Sequence, residues 1–207
     1  MSEADGQILC MQFSKWRHRR PQSAIFLDRD GVVNQRIQHG YVTHWSQFKF
    51  VPGVQRVLAD LSGLGLPLIV VSNQAGVGKG LVSRTTLAGI TRRFVSILQR
   101  AGAQMDAAYY CPHTPDDQCG CRKPRPGLLL RAATDWGVNL SRSVLIGDSW
   151  SDIEAAHAAG CWGILVKPCT GPSHSGNSLA QSKSCASASV HLREIPDTVR
   201  KLLGQQG

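Results

Sequence analysis

Ala24-Ile25-Phe26-Leu27-Asp28-Arg29-Asp30-Gly31 decides how the rest of this 207-residue chain is read. An apolar run cut off by an aspartate has the pattern of a short strand buried on both faces, as in parallel sheets. The pattern recurs downstream. Pro67-Leu68-Ile69-Val70-Val71 ends in Ser72-Asn73-Gln74, and Val144-Leu145-Ile146 is closed by Gly147-Asp148. Ala107 to Tyr110 is a weaker strand running into Cys111, and Gly163 to Val166 is one more. Helical spacing fills the gaps. Val54, Val57, Leu58, Leu61 and Leu64 form one apolar stripe that Gly65 stops. Ser83 can cap a helix whose buried face is Leu87, Ile90, Phe94, Ile97 and Leu98. Pro126 suits the first turn of a helix through Leu128, Leu129 and Ala132 that ends before Gly137. A short helix from Asp152 to Ala159 stops at Gly160.

Strands alternating with helices predict an α/β fold, a doubly wound, mostly parallel sheet of Rossmann-like type. In such sheets ligands bind outside the carboxyl ends of the strands. Asp28, Ser72, Cys111 and Asp148 all occupy those ends, so four distant segments converge on one rim. Residues 1–22 are polar and basic and are expected to be a loosely ordered extension. Residues 23–167 form the domain proper. Residues 168–189, rich in Ser, Gly and Pro, read as a flexible segment. Residues 190–207 carry a terminal helix, with Val199, Leu202 and Leu203 apolar, packed on the domain. No insertion between Asn34 and Val51, or before Cys111, is long enough for a separate cap.

Asp28 and Asp30 share a face of an extended chain. A carboxylate attacking phosphorus needs a metal to offset its charge and a second group to move protons. The pair meets that need, although Asp30-Gly31 also fits an ordinary turn with Asp28 as a cap. Ser72 and Asn73 offer hydrogen bonds to phosphate oxygens, Lys123 a point charge for the transferring group, and Asp148 a further oxygen for Mg²⁺. Asp152, one turn beyond Asp148, either orients it or is a solvated first-turn acid.

Cys111-Pro112-His113 and Cys119-Gly120-Cys121 place four metal-ligand side chains within eleven residues. Cys111, His113, Cys119 and Cys121 suit tetrahedral zinc better than they suit free thiols. With every ligand supplied by protein, the zinc is structural, and it aims Arg122 and Lys123 at the substrate. Seven cysteines is an odd number, which argues against a fully paired disulfide framework. Cys10, Cys161, Cys169 and Cys185 have no ligand spacing.

The ordered set Asp28-Arg29-Asp30-Gly31-Val32-Val33-Asn34, Val71-Ser72-Asn73-Gln74, Lys123-Pro124 and Ile146-Gly147-Asp148 resembles the haloacid dehalogenase-like superfamily of aspartyl-phosphate phosphatases. The resemblance spans residues 24–167. It implies that Asp28 is the nucleophile and Asp30 the general acid/base. It also implies that Ser72 and Lys123 stabilise the phosphoryl group. Magnesium would be held by Asp28, the Asp30 backbone carbonyl and Asp148. Cys-x-His…Cys-x-Cys-Arg-Lys-Pro is similar to two subgroups, the D-glycero-D-manno-heptose 1,7-bisphosphate 7-phosphatases and the histidinol-phosphate phosphatases. Gln38-His39-Gly40-Tyr41 looks like the substrate loop of the heptose group. That likeness adds Gln38, His39, Gly40, Tyr41, Ser72, Asn73, Gln74, Arg122 and Lys123 as substrate contacts, Arg122 being suited to a second, non-reacting phosphate. Val32 stands where many members have threonine, and Ser149 where some heptose enzymes have lysine.

The net charge is +9, and since residues 1–20 hold four basic and two acidic side chains, the remainder still carries +7. A positive field favours anionic partners, small phosphates or nucleic acid alike. The cluster Lys15, Arg17, Arg19, Arg20 admits a nucleic-acid 3′-phosphate as an alternative substrate, beside histidinol phosphate. A zinc-stabilised nucleic-acid-binding module with a vestigial site is the reading from another class. Basic residues without an aromatic platform disfavour nucleic acid. A monomer acting on a small phosphorylated sugar, without a membrane partner, is expected. The apolar stretch Ile8 to Phe13 precedes the basic cluster, the reverse of a secretory signal, and no run approaches the ~18 apolar residues of a membrane span. A cytoplasmic enzyme is the resulting expectation.

Overall fold

A computed structural model of the chain describes residues 8–14, 23–167 and 187–204. Its strands are β1 (Leu9–Gln12), β2 (Ile25–Leu27), β3 (Leu68–Asn73), β4 (Ala107–Cys111), β5 (Val144–Gly147), β6 (Trp162–Val166) and β7 (Ser187–Val190). Its helices are α1 (Val54–Ser62), α2 (Ala75–Gly78), α3 (Arg84–Arg100), α4 (Gly127–Trp136), α5 (Trp150–Ala158) and α6 (Ile195–Gly204). The strands form one sheet in the order β1-β4-β3-β2-β5-β6-β7, parallel except for β1.

Each central strand feeds two cores, because successive side chains leave opposite faces of the sheet. Ile25, Leu27, Val70, Tyr110 and Ile146 pack with the apolar sides of α1, α3 and α6. Phe26, Ile69, Val71, Tyr109 and Leu145 pack with α4 and α5. This two-sided burial explains why these strands read as continuous apolar runs. On α3, Leu87, Ile90, Phe94 and Leu98 are buried, each contributing roughly 1.5–3 kcal/mol by leaving water. Ser83 caps α3 by accepting a hydrogen bond from the Thr86 amide, and Gly137 ends α4 in the left-handed conformation.

Two edges differ from expectation. Leu9–Gln12, within the segment read as an extension, pairs antiparallel with β4, Leu9 opposite Tyr110. Ser187–Val190 overlaps the segment read as flexible, and it pairs parallel with β6. Both are four-residue strands at the margins of the sheet. Their order comes from a neighbour's open hydrogen-bonding edge and not from local pattern. The basic cluster Lys15 to Arg20 and residues 168–186, with Cys169 and Cys185, lie outside the described residues. No described helix is long and apolar enough to cross a membrane.

Candidate active site

The strand order reverses at β2, between β3 and β5, and the crevice above its carboxyl end belongs to Asp28. The Asp28 amide donates to the Ile146 carbonyl at 2.8 Å, which locks the strand end to β5. Its Oδ1 accepts from the Arg29 amide at 2.7 Å and lies 3.0 Å from Lys123 Nζ. Burial pushes the Asp28 carboxyl up to about 6; Lys123 opposes this, while Asp152, Asp30 and Asp148 reinforce it.

Asp30 is treated differently by its surroundings. Burial would raise it too, but Arg29, Asn34 and Gln74 outweigh that and hold it below the usual carboxylate range. Arg29 Nη2 reaches both Asp30 oxygens, at 2.8 and 2.9 Å. Asn34 Nδ2 and Gln74 Nε2 each donate at 2.8 Å. Gly31 has φ +96°, and a Cβ there would lie 1.8 Å from Asp148 Oδ2. Only glycine lets the chain turn that close to a second carboxylate.

Lys123 is buried, with Nζ 2.5 Å from Asp152 Oδ1 and donating to the Val71 carbonyl at 2.8 Å. Asn73 clamps its backbone: the Asn73 amide donates to Lys123 O, and Lys123 N donates to Asn73 Oδ1, both at 3.0 Å. Asp152 is fully buried. Its Oδ2 accepts from the Ser149 amide and hydroxyl, closing the first turn of α5. Asp152 is therefore no solvated acid, and the side chain it fixes most directly is Lys123. Gln74, expected against substrate, is turned inward to Asp30 and Ser72 instead. Sequence reasoning also passed over Arg29 and Arg36. Arg29 looked like a spacer between two acids; a fully buried arginine has no local signature.

Asp148 directly follows β5 and meets Arg36, whose Nε and Nη2 donate to Oδ2 and Oδ1 at 2.9 and 2.5 Å. Asp28, Asp148 and Asp152 bring carboxylate oxygens within 4.8 Å of one another. Arg36 Nη2 also donates to the Asp30 backbone carbonyl at 3.3 Å and lies 3.9 Å from Asp28 Oδ2. Oxygens of Asp28, Asp148 and the Asp30 carbonyl thus already surround one cationic group, and hard oxygens of this kind fit a divalent cation.

Cys111, His113, Cys119 and Cys121 gather at the end of β4 and could hold a metal ion. The sulfur–sulfur separations are 3.6, 3.5 and 3.2 Å, and His113 Nδ1 lies 3.4 and 3.2 Å from Cys111 and Cys121. Donors around a tetrahedral ion at ~2.0–2.3 Å would stand about 3.5–3.8 Å apart, so small shifts suffice to close the cage. A hydrogen bond from Cys121, against burial and with help from His113, pulls the Cys111 thiol down to about 5. Arg122 donates to the His113 carbonyl at 3.1 Å and Arg125 to that of Cys119 at 2.7 Å. The cluster is in this way coupled to the residues that follow it.

Asp28, Asp30, Arg36, Lys123 and Asp152 open on a cavity of about 730 Å³. Of the sequence-predicted contacts, Gln38, His39, Gly40, Tyr41, Ser72, Asn73, Arg122 and Lys123 line it, beside Asp28 and Asp30. Lys79, which sequence reasoning did not single out, lines it too, and its ammonium lies 5.5 Å from the Tyr41 ring centroid. The loop carrying His39 to Tyr41 is anchored by aromatics: Phe48 stacks on Trp45 and on Phe94 of α3, at 5.1 and 5.2 Å.

Comparison with known proteins agrees with this geometry. The HAD-hydrolase-like family model matches residues 120–185. D-glycero-alpha-D-manno-heptose-1,7-bisphosphate 7-phosphatase of Mycobacterium tuberculosis is 42% identical over 144 residues, 66% of this chain and 72% of its own length. The D-glycero-beta-D-manno counterpart of Vibrio cholerae is 36% identical over 165 residues, 76% of this chain and 88% of its own. The crystal structure of D,D-heptose 1,7-bisphosphate phosphatase from B. bronchiseptica, complexed with magnesium and phosphate, superposes with a TM-score of 0.74 and 31% identity. That match covers 86% of this chain and 98% of the other. The chain therefore belongs to the haloacid dehalogenase-like hydrolases, in the family of the D-glycero-D-manno-heptose-1,7-bisphosphate 7-phosphatases, and is a phosphoric monoester hydrolase.

Proposed function

We propose that this chain hydrolyses the 7-phosphate of D-glycero-D-manno-heptose 1,7-bisphosphate, yielding heptose 1-phosphate, through a phosphorylated Asp28. The observation that carries the reading is the rim itself. Asp28, held beside Lys123 at 3.0 Å, shares one cavity with Asp30 and with the His39-Gly40-Tyr41 loop. The names and coverage of the relatives support the substrate.

Asp30 takes up a proton as substrate enters, against the pull of Arg29, Asn34 and Gln74. Asp28 then attacks phosphorus, and the bond from phosphorus to the sugar oxygen breaks as Asp30 passes that proton to the oxygen. Asp30, now a carboxylate, takes a proton from water. The water oxygen attacks phosphorus, and the bond to Asp28 breaks to release phosphate. Arg29, Asn34 and Gln74 aim the Asp30 carboxylate in the second half, when it accepts the proton from water. Lys123 and Ser72 face the transferring oxygens, and Asp152 keeps Lys123 in place. Arg122 is assigned to the non-reacting phosphate. Mg²⁺, when held by Asp28, the Asp30 carbonyl and Asp148, supplies positive charge that offsets nucleophile and phosphate together. Zn²⁺ in the Cys111, His113, Cys119, Cys121 cage is structural, since four protein ligands leave no open position.

The discriminating measurement is phosphate release from both anomers of the heptose bisphosphate, beside histidinol phosphate and a 3′-phosphorylated oligonucleotide. The highest kcat/KM is expected on one heptose anomer. A preference for histidinol phosphate or the oligonucleotide would overturn the substrate assignment and keep the chemistry. The remaining reading, a binding module with a vestigial site, gives way to the phosphatase relatives.

A further inference from the structure

Arg36 is placed where a cation belongs. It follows Asn34 and Gln35 on the loop after the nucleophile, which a Gln35 amide to Lys49 carbonyl bond of 2.7 Å ties down. Its side chain is half exposed, so it is not fixed by packing. Yet its guanidinium holds both oxygens of Asp148 and the backbone carbonyl of Asp30, with Asp28 Oδ2 3.9 Å away. Those are the same three donors assigned above to the divalent cation. A cation at ~2.0–2.1 Å from them would take the space now filled by Nη2, which donates to Asp148 Oδ1 and to the Asp30 carbonyl. Guanidinium and metal exclude each other there.

We propose that Arg36 is an exchangeable internal counter-ion: it neutralises the Asp28–Asp148 pair until a divalent cation displaces it, and it thereby sets the metal affinity of the site. This rests on the metal assignment of the preceding section. Two features make it more than a surface ion pair. The Arg36–Asp148 contact is bidentate, the strong and directional form of carboxylate recognition. And Lys123, which pairs with Asp28 Oδ1 at 3.0 Å, is shared with Asp152 and the Val71 carbonyl and forms no ion pair with Asp148 among those described. Lys123 acts on Asp148 only at longer range, and Arg36, in direct contact, is its main counter-charge. Once displaced, the guanidinium remains at the cavity, which it lines.

The test is a Mn²⁺ titration of the full chain with its zinc retained, following free Mn²⁺ by electron paramagnetic resonance. Arg36→Met keeps much of the aliphatic stem and removes the charge; Arg36→Lys keeps the charge and removes the fork. If the guanidinium must leave, Arg36→Met tightens Mn²⁺ binding by about tenfold or more, as expected for one charge-assisted bidentate contact. Arg36→Lys then falls between it and the parent. Arg36→Met should also lower the melting temperature without Mn²⁺ but not at saturating Mn²⁺, whereas a merely structural arginine would lower both. Equal affinity in Arg36→Lys and the parent would mean only long-range repulsion and would overturn the exchange. So would affinity unchanged in Arg36→Met. Asp148→Asn separates the two levels: if it still binds Mn²⁺ like the parent, the metal assignment itself fails.

Discussion

Lys123 Nζ lies 2.5 Å from the carboxylate of Asp152, a residue with no exposed surface, and Asp152 reaches Lys123 across 29 residues of chain. The pair turns a helix-capping acid into a support for the active site. Removing one partner of a buried ion pair leaves the other uncompensated, at a cost of about 3–5 kcal/mol. Asp152→Ala is expected to lose stability on that order in urea denaturation. It should also lower kcat, since Lys123 keeps only Asp28 as a counter-charge. Normal stability would show that water replaces Asp152.

Gln74 separates orientation from binding. It donates to Asp30 at 2.8 Å and does not line the cavity. Gln74→Leu should therefore lower kcat by about tenfold with little change in KM, as expected when a general acid/base loses one of the bonds that aim it. A rise in KM at constant kcat would restore Gln74 to the substrate contacts.

The raised Asp28 carboxyl predicts a pH effect on stability. Folded Asp28 releases its proton at about 6, against 3.8 for the ordinary side chain, so the folded state holds the proton more tightly. Its share of stability is then present at low pH and is lost as pH climbs from about 4 through about 6. Asp28→Asn removes the loss. In Mg²⁺-free buffer the variant should melt with the parent near pH 4 and several degrees above it near pH 7, because ~1 kcal/mol shifts a chain of this size by 2–4 °C. An unchanged gap between the two pH values would contradict the shift. The same variant should release no phosphate, and full activity would remove Asp28 as nucleophile.

Gly31 tests how tightly the two acidic segments meet. A methyl group at this position would lie 1.8 Å from Asp148 Oδ2, on a backbone with positive φ. Gly31→Ala should cost at least about a hundredfold in kcat/KM, the scale of a 1 Å displacement in a catalytic constellation. A near-normal rate would mean that the Asp148 side chain yields freely.

The cysteine cage is checked by composition and by function together. One zinc per chain is expected by atomic emission, and Cys119→Ser should reduce that content and lower the melting temperature. Because Arg122 hangs on the His113 carbonyl, the kcat/KM for a bisphosphate should fall as well. Zinc-free protein with unchanged melting would contradict a structural role.

The sequence alone was enough for the doubly wound frame, the residues at the strand ends and the composition of the cysteine cage. Those features are local: apolar runs, helical stripes and ligand spacing are written within a few residues of one another. The three-dimensional arrangement decided what local pattern cannot carry. Arg29 could be recognised as the anchor of Asp30 only once its guanidinium was seen buried beside both carboxylate oxygens. Gln74 turned inward, Asp152 joined Lys123, and Arg36 met Asp148 across 112 residues. Long polar side chains choose partners by the folded path, not by chain distance. The edge strands Leu9–Gln12 and Ser187–Val190 follow the same logic, since a four-residue strand is ordered by the neighbour whose backbone it completes.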